Sequence, residues 1–292
     1  MPTLTPEFLT RQAEQESIYP VDDNQRELCR RWLWPNVEAL QEDFLTLRLE
    51  FDKTFTPVPQ SGRNYPIGYC REISLGVFNL LQKAITVPET PGISALRNFC
   101  AAGGKFKRVW GDLRRSYFQN AFQAGDMYID AANDSVVITK PKVEILPLQK
   151  ADFFPLNDFD SYARLAETYW KGQVYPNRYL PKLAPVFPIL LLYPNGHIKL
   201  HSQYQTPLYL NLVHEFSLAE NFLLHSPWSN RELAPEQLAQ LERQVGASVE
   251  WLSAPLNDEA LAGVFNGARE SGLRLDAARL QVLLDHAVWI NQ

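Results

Sequence analysis

Apolar residues recur at helical spacing from Asp23 to about Phe55, where Leu28, Trp32, Val37, Leu40, Phe44 and Leu47 fall three to five positions apart. Pro35 inside that run predicts a kink or a division. A turn-rich stretch follows from Thr56 to Tyr69. A second amphipathic run then begins near Cys70 and sets Ile73, Val77, Leu80 and Leu81 on one face. Pro88 and Pro91 predict its end, and Ser94 predicts the cap of a short helix reaching Cys100. At the start of the chain, Thr5-Pro6-Glu7 offers a capping oxygen followed by a proline that needs no donor, which predicts a further helix.

Past Gly103-Gly104 the period shortens. Lys105 to Trp110, Ser116 to Phe122, Asp126 to Ala132 and Ser135 to Thr139 are short β-branched and aromatic runs punctuated by turn residues, which predicts a meander. Lys142 to Leu146 predicts another strand. Residues 157–170 read as helix behind an Asn157 or Asp158 cap, and a Pro-rich connector spans Tyr175 to Pro188. Phe187 to Tyr193 and His197 to Ser202 flank Pro194-Asn195-Gly196, a hairpin signal. Helices are expected near 208–224, 235–246, 257–270 and 275–290, with Asn257 and Asp276 at two of the starts. The pattern is therefore α+β: an antiparallel sheet, meander plus hairpin, with helices at both ends. Its change of texture divides the chain into a region 1–150, with the Cys70 helix and the meander, and a region 151–292, with the hairpin and the C-terminal helices.

Composition narrows the functional classes. The 292 residues are 46% hydrophobic and 21% charged, as in globular domains, with 21 prolines fixing many turns. No run of eighteen apolar residues exists, so no membrane helix is expected. Met1 to Ser17 is polar and lacks a leader pattern, and Cys29, Cys70 and Cys100 suit reduced thiols, so a cytoplasmic protein is expected. A net charge of −5 gives no general attraction to nucleic acid or anionic lipid. His197 and His201 share a four-residue spacing, but on a strand that separates them by about 13 Å, too far to hold one ion. Dinucleotide, P-loop and nucleophile-elbow motifs are missing, so neither metal nor cofactor is expected.

Two segments carry candidate chemistry. Lys105, Lys107, Arg108, Arg114 and Arg115 interleave with Trp110 and other aromatics, a composition that neutralises phosphate and stacks on bases, or that forms a solvated sheet edge. The low pI makes nucleic acid an unlikely partner. The second segment is Tyr65-Pro66-Ile67-Gly68-Tyr69-Cys70-Arg71. A cysteine opening a helix meets unpaired N–H groups and the positive dipole end, which favour thiolate and can donate to an oxyanion, and Arg71 adds positive potential.

This Pro-x-Gly-x-Cys helix start resembles that of papain-fold and transglutaminase-like cysteine enzymes. The resemblance covers roughly residues 64–140 and implies a hydrolase or acyl transferase acting on a peptide, amide or small-molecule substrate. Cys70 would be the nucleophile, and a strand pair near Asn120 and Asp130 would carry its partners. Asn120 stands where that pattern has a histidine, and the first histidine of the chain is His197. Three readings follow. His201 or His214 supplies the base, with Asp130 or Asn120 orienting it; or the scaffold is kept without catalysis and its cleft binds a ligand; or Cys70 is a core residue. A non-catalytic binding protein using the Lys105–Arg115 patch is the alternative from a different class. Oligomeric state is not legible.

Overall fold

The computed structural model describes residues 3–58, 64–87, 89–201 and 205–292. The protein is α+β, and its strands pair antiparallel throughout the described residues. It forms two compact units, one of Glu16–Pro155 and one joining residues 3–15 to Leu156–Gln292.

The first unit lays helices on one face of a five-stranded sheet. Helix α2 (Asp23–Leu28) runs through one wide turn, Cys29–Leu33, and a tight turn, Trp34–Asn36, into α3 (Val37–Thr54). Pro35 divides the helical run here, as its missing donor predicts. Helix α4 spans Cys70–Ala84 and α5 spans Pro91–Ala101. Pro91 therefore opens a helix rather than ending one, because the first turn needs no donor at that position. Ser94 lies inside α5, not at its cap, and Pro88 falls outside the described residues.

The sheet comprises β1 (Phe106–Leu113), β2 (Tyr117–Ala124), β3 (Met127–Asp130), β4 (Glu144–Pro147) and β5 (Phe153–Phe154), in the order β4-β3-β2-β1-β5. The meander is real, but the strand expected at Ser135 to Thr139 is not. That segment holds a short 3-10 turn, Asn133–Ser135, followed by further turns. On the helical face, Phe122, Ala124, Met127 and Ile129 pack against Phe44, Ile73, Val77 and Leu96. Val109, Leu113, Ala121, Tyr128 and Phe153 form a smaller cluster on the opposite face. Gly125 makes the β2–β3 turn at φ +56, where a side chain would also strike the Cys29 sulfur.

The second unit joins α1 (Pro6–Glu14), with Thr5 as its cap, to the C-terminal half. Helix α6 (Phe159–Trp170) is capped by Asp158. Strands β6 (Gln173–Pro176), β7 (Ile189–Leu192) and β8 (Ile198–His201) pair in sequence order, the last two across the Pro194-Asn195-Gly196 turn. The expected end of that hairpin at Ser202 lies outside the described residues. Helix α7 (Gln205–Val213), packed along α1, is followed by α8 (Ser217–His225). The single helix expected over 208–224 is thus broken, since Glu215 and Phe216 adopt positive φ. Helices α9 (Pro235–Val245), α10 (Asp258–Glu270) and α11 (Ala277–Ile290) complete the chain, with Asn257 and Asp276 capping the last two. No helix among the described residues is long and apolar enough to cross a membrane.

Candidate functional site

Cys70 begins α4 against strand β2. Its thiol donates to the Phe118 carbonyl at 3.8 Å, and its sulfur accepts the Asn120 Nδ2–H at 3.6 Å. The approach is held in register by the Gly68 N–H donating to the Ser135 carbonyl at 3.0 Å. Asn120 reaches the thiol because alternate residues of β2 face the helices: Asn120, Phe122 and Ala124 point toward α4, whereas Gln119 and Ala121 point away. The local polarity suits a thiol, not a thiolate. Burial pushes the Cys70 thiol up, outweighing the hydrogen bonds from Asn120 that act to lower it. This runs against the expectation of a sulfur activated by the first helical turn, because desolvation of the buried sulfur disfavours the anion.

The other expected partners lie elsewhere. Asp130 follows Ile129 on β3, and Ile129 faces the helices, so strand alternation turns Asp130 to the opposite side of the sheet. There its carboxylate accepts Gln119 Nε2 at 2.7 Å, the Ala132 N–H at 2.7 Å and the Tyr128 hydroxyl at 3.0 Å. Burial pushes its carboxyl up to about 6, against those three hydrogen bonds. Asp130 is therefore committed to Gln119 and Tyr128, neither of which the sequence analysis singled out. The adjacent polar pair Gln119-Asn120 was the available signal, since the two must serve opposite faces of a strand.

The candidate bases are committed too. His201, on β8 in the second unit, lies between the Tyr162 hydroxyl, 3.0 Å from Nδ1, and the Tyr193 hydroxyl, 3.1 Å from Nε2. Burial pulls its imidazole down to about 3, helped by the Lys199 charge. It is a neutral ring with both nitrogens engaged. His214 is exposed just past the end of α7. The unit that carries Cys70, Glu16–Pro155, contains no histidine.

A buried ionic network braces the segments around Cys70. Arg48 of α3 is fully enclosed and donates through Nη1 to Asp134 Oδ1 at 2.7 Å and to the Ala131 carbonyl at 2.8 Å, and through Nε to Asp52 Oδ1 at 2.8 Å. Lys142 Nζ bridges Asp52 at 2.8 Å and Asp134 at 3.3 Å, and the Tyr65 hydroxyl also donates to Asp52. Burial acts to raise the Asp52 carboxyl, but the hydrogen bonds from Lys142, Tyr65 and Arg48 hold it below the ordinary carboxylate range. The network ties α3, the Tyr65 approach and the 131–135 turn into one frame.

The basic segment is largely neutralised within its own unit. Arg108 pairs with Glu16, Arg114 with Glu144 at 2.8 Å and Arg115 with Asp112 at 3.1 Å. Arg115 also lies 3.7 Å over the Phe154 ring, and Trp110 is buried in a stack on Phe118. Lys105 and Lys107 sit near the Tyr19 ring. The arginines of the segment are therefore engaged by carboxylates from three different parts of the chain. Arg71 is exposed on the first turn of α4. A groove of about 500 Å³ opens in this unit, lined among others by Tyr19, Arg26, Pro147, Phe153 and Phe154. Among the described residues no cluster of His, Cys, Asp and Glu is arranged to hold a metal ion.

Comparison with protein-family models, with curated proteins and with solved structures finds no match to this chain.

Proposed function

We propose that this chain is a non-catalytic binding protein in which the Glu16–Pro155 unit has the outline of a cysteine-enzyme scaffold but not its chemistry. One observation carries the reading. The neighbour of the buried Cys70 sulfur is the Asn120 amide, in a unit without an imidazole. An amide cannot take the thiol proton, so this unit offers the sulfur no imidazole base. Instead the amide donates to the sulfur and the thiol donates to the Phe118 carbonyl, so the buried thiol is satisfied. The groove beside Tyr19 and Phe154 offers mixed aromatic and charged walls of a size that suits a peptide or small molecule. The arginine pairings leave little free charge for phosphate, which argues against nucleic acid.

The test is acylation. The full chain is incubated with p-nitrophenyl acetate and with a thioester probe at neutral pH, then measured by intact mass and peptide mapping. No adduct on Cys70 and no Cys70-dependent turnover are expected. An acyl group found on Cys70 of the folded protein, and lost in Cys70→Ala, would overturn the reading.

A further inference from the structure

In the second unit a groove of about 340 Å³ runs between the 181–185 segment, α10 and α11. Pro181 and Pro185 form one wall, Val264 and Ala268 another, and Val282 and Leu283 a third. Two cations, Lys182 and Arg279, line the same groove, and no carboxylate does. Elsewhere in the unit, Arg178, Arg231, Arg269 and Arg274 each meet an aspartate or glutamate. Among the described residues neither Lys182 nor Arg279 is in an ion pair. The Lys182 ammonium instead lies 4.8 Å over the Trp251 ring, and Arg279 Nη1 donates to the Ser271 carbonyl at 3.4 Å.

One wall of the groove includes an exposed glycine. Gly267 lies inside α10, where alanine would make a better helix. Helix-interior glycines usually allow a close neighbour, yet a Cβ built at Gly267 meets no atom within 4 Å. The vacant space belongs to the groove that Gly267 lines.

We propose that this groove binds an aliphatic carboxylate, its alkyl chain against the α10 and α11 walls and its carboxylate at Lys182 and Arg279. Apolar walls give affinity in proportion to the area covered, and two unmatched cations select an anionic head. The chemistry is that of a medium-chain fatty acid. Each methylene that enters the groove tightens binding about threefold to fourfold until the space is filled. Loss of the head-group charge weakens it about tenfold or more.

The experiment is calorimetric titration of the full chain with octanoate, decanoate and dodecanoate below their micelle concentrations, beside decanol and decyltrimethylammonium. Saturable one-to-one binding of decanoate is expected, tighter than octanoate, at least about tenfold tighter than decanol, with none for the cation. Gly267→Leu starts a side chain from a position whose Cβ meets no atom within 4 Å and fills the groove, so it should abolish binding without lowering Tm. Lys182→Gln and Arg279→Gln, both at the surface, should each weaken decanoate and flatten its salt dependence. The proposal is overturned if decanoate does not saturate, if it binds Gly267→Leu as well as the parent, or if decanol binds equally. Binding of an acidic amphipathic peptide without binding of decanoate would assign the groove to a protein partner and overturn it as well.

Discussion

Asn120 donates its side-chain amide to the Cys70 sulfur across 3.6 Å. The consequence is electrostatic. Burial among hydrocarbon opposes ionisation of the thiol and outweighs the amide N–H, which acts to lower its pKa.

Asn120→His tests that relationship by gain. An imidazole beside the sulfur would accept its proton and form a thiolate–imidazolium pair. The expected outcome is alkylation of Cys70 at neutral pH at least about tenfold faster than in the parent, with about 1–3 kcal/mol of lost stability because a larger ring enters a packed site. Peptide-mapped labelling and denaturant unfolding measure the two effects.

Asp134→Ala leaves the enclosed Arg48 guanidinium without its two-point partner. Removing one member of a buried pair typically costs about 3–5 kcal/mol, whereas replacing both by apolar groups costs much less. Urea unfolding of Asp134→Ala, Arg48→Met and the double variant should therefore show the double variant more stable than Asp134→Ala alone.

Asp130 and His201 give pH dependences of opposite sign. The folded Asp130 carboxyl keeps its proton to about 6, against 3.8 for the unconstrained group. Between these values the folded state binds more protons than the unfolded chain, so stability falls as pH rises through the window. Asp130→Asn removes this titration, and its amide oxygen can still accept the Ala132 N–H. Relative to the parent, the variant should gain up to about 3 kcal/mol between pH 4 and pH 7, read from unfolding midpoints across that range.

For His201 the folded ring stays neutral down to about 3, against 6.5 for the unconstrained group. Here the unfolded chain binds the extra proton, and stability is lost as pH falls from about 6.5 toward 3. Compared with His201→Gln, the parent should lose about 1.4 kcal/mol per pH unit between pH 6 and pH 4. Parallel slopes in the two proteins would show that the Tyr162–His201–Tyr193 contact is not responsible.

Local signals explain which parts of this fold were readable. The hairpin followed from Pro194-Asn195-Gly196, and the starts of α10 and α11 from Asn257 and Asp276, because turn and cap chemistry act within a few residues. Ser135 to Thr139 has strand composition yet turns, and the residues just before it, Ala131 and Asp134, are bound to Arg48, more than eighty positions away. Glu215 and Phe216 break a helix with no glycine to announce it. At the candidate site the sequence placed Cys70 at a helix start beside Asn120. It could not reveal burial of the sulfur, nor that Asp130, one residue past the helix-facing Ile129, looks the other way.

The central claim is that Cys70 is a structural thiol. It is tested most directly by the rate at which iodoacetamide labels Cys70 in the folded protein at pH 7, followed by peptide mapping and compared with the same protein in denaturant. Labelling only as fast as the protein unfolds is the predicted result. Labelling of the folded chain at or above the rate of a free thiol would contradict it.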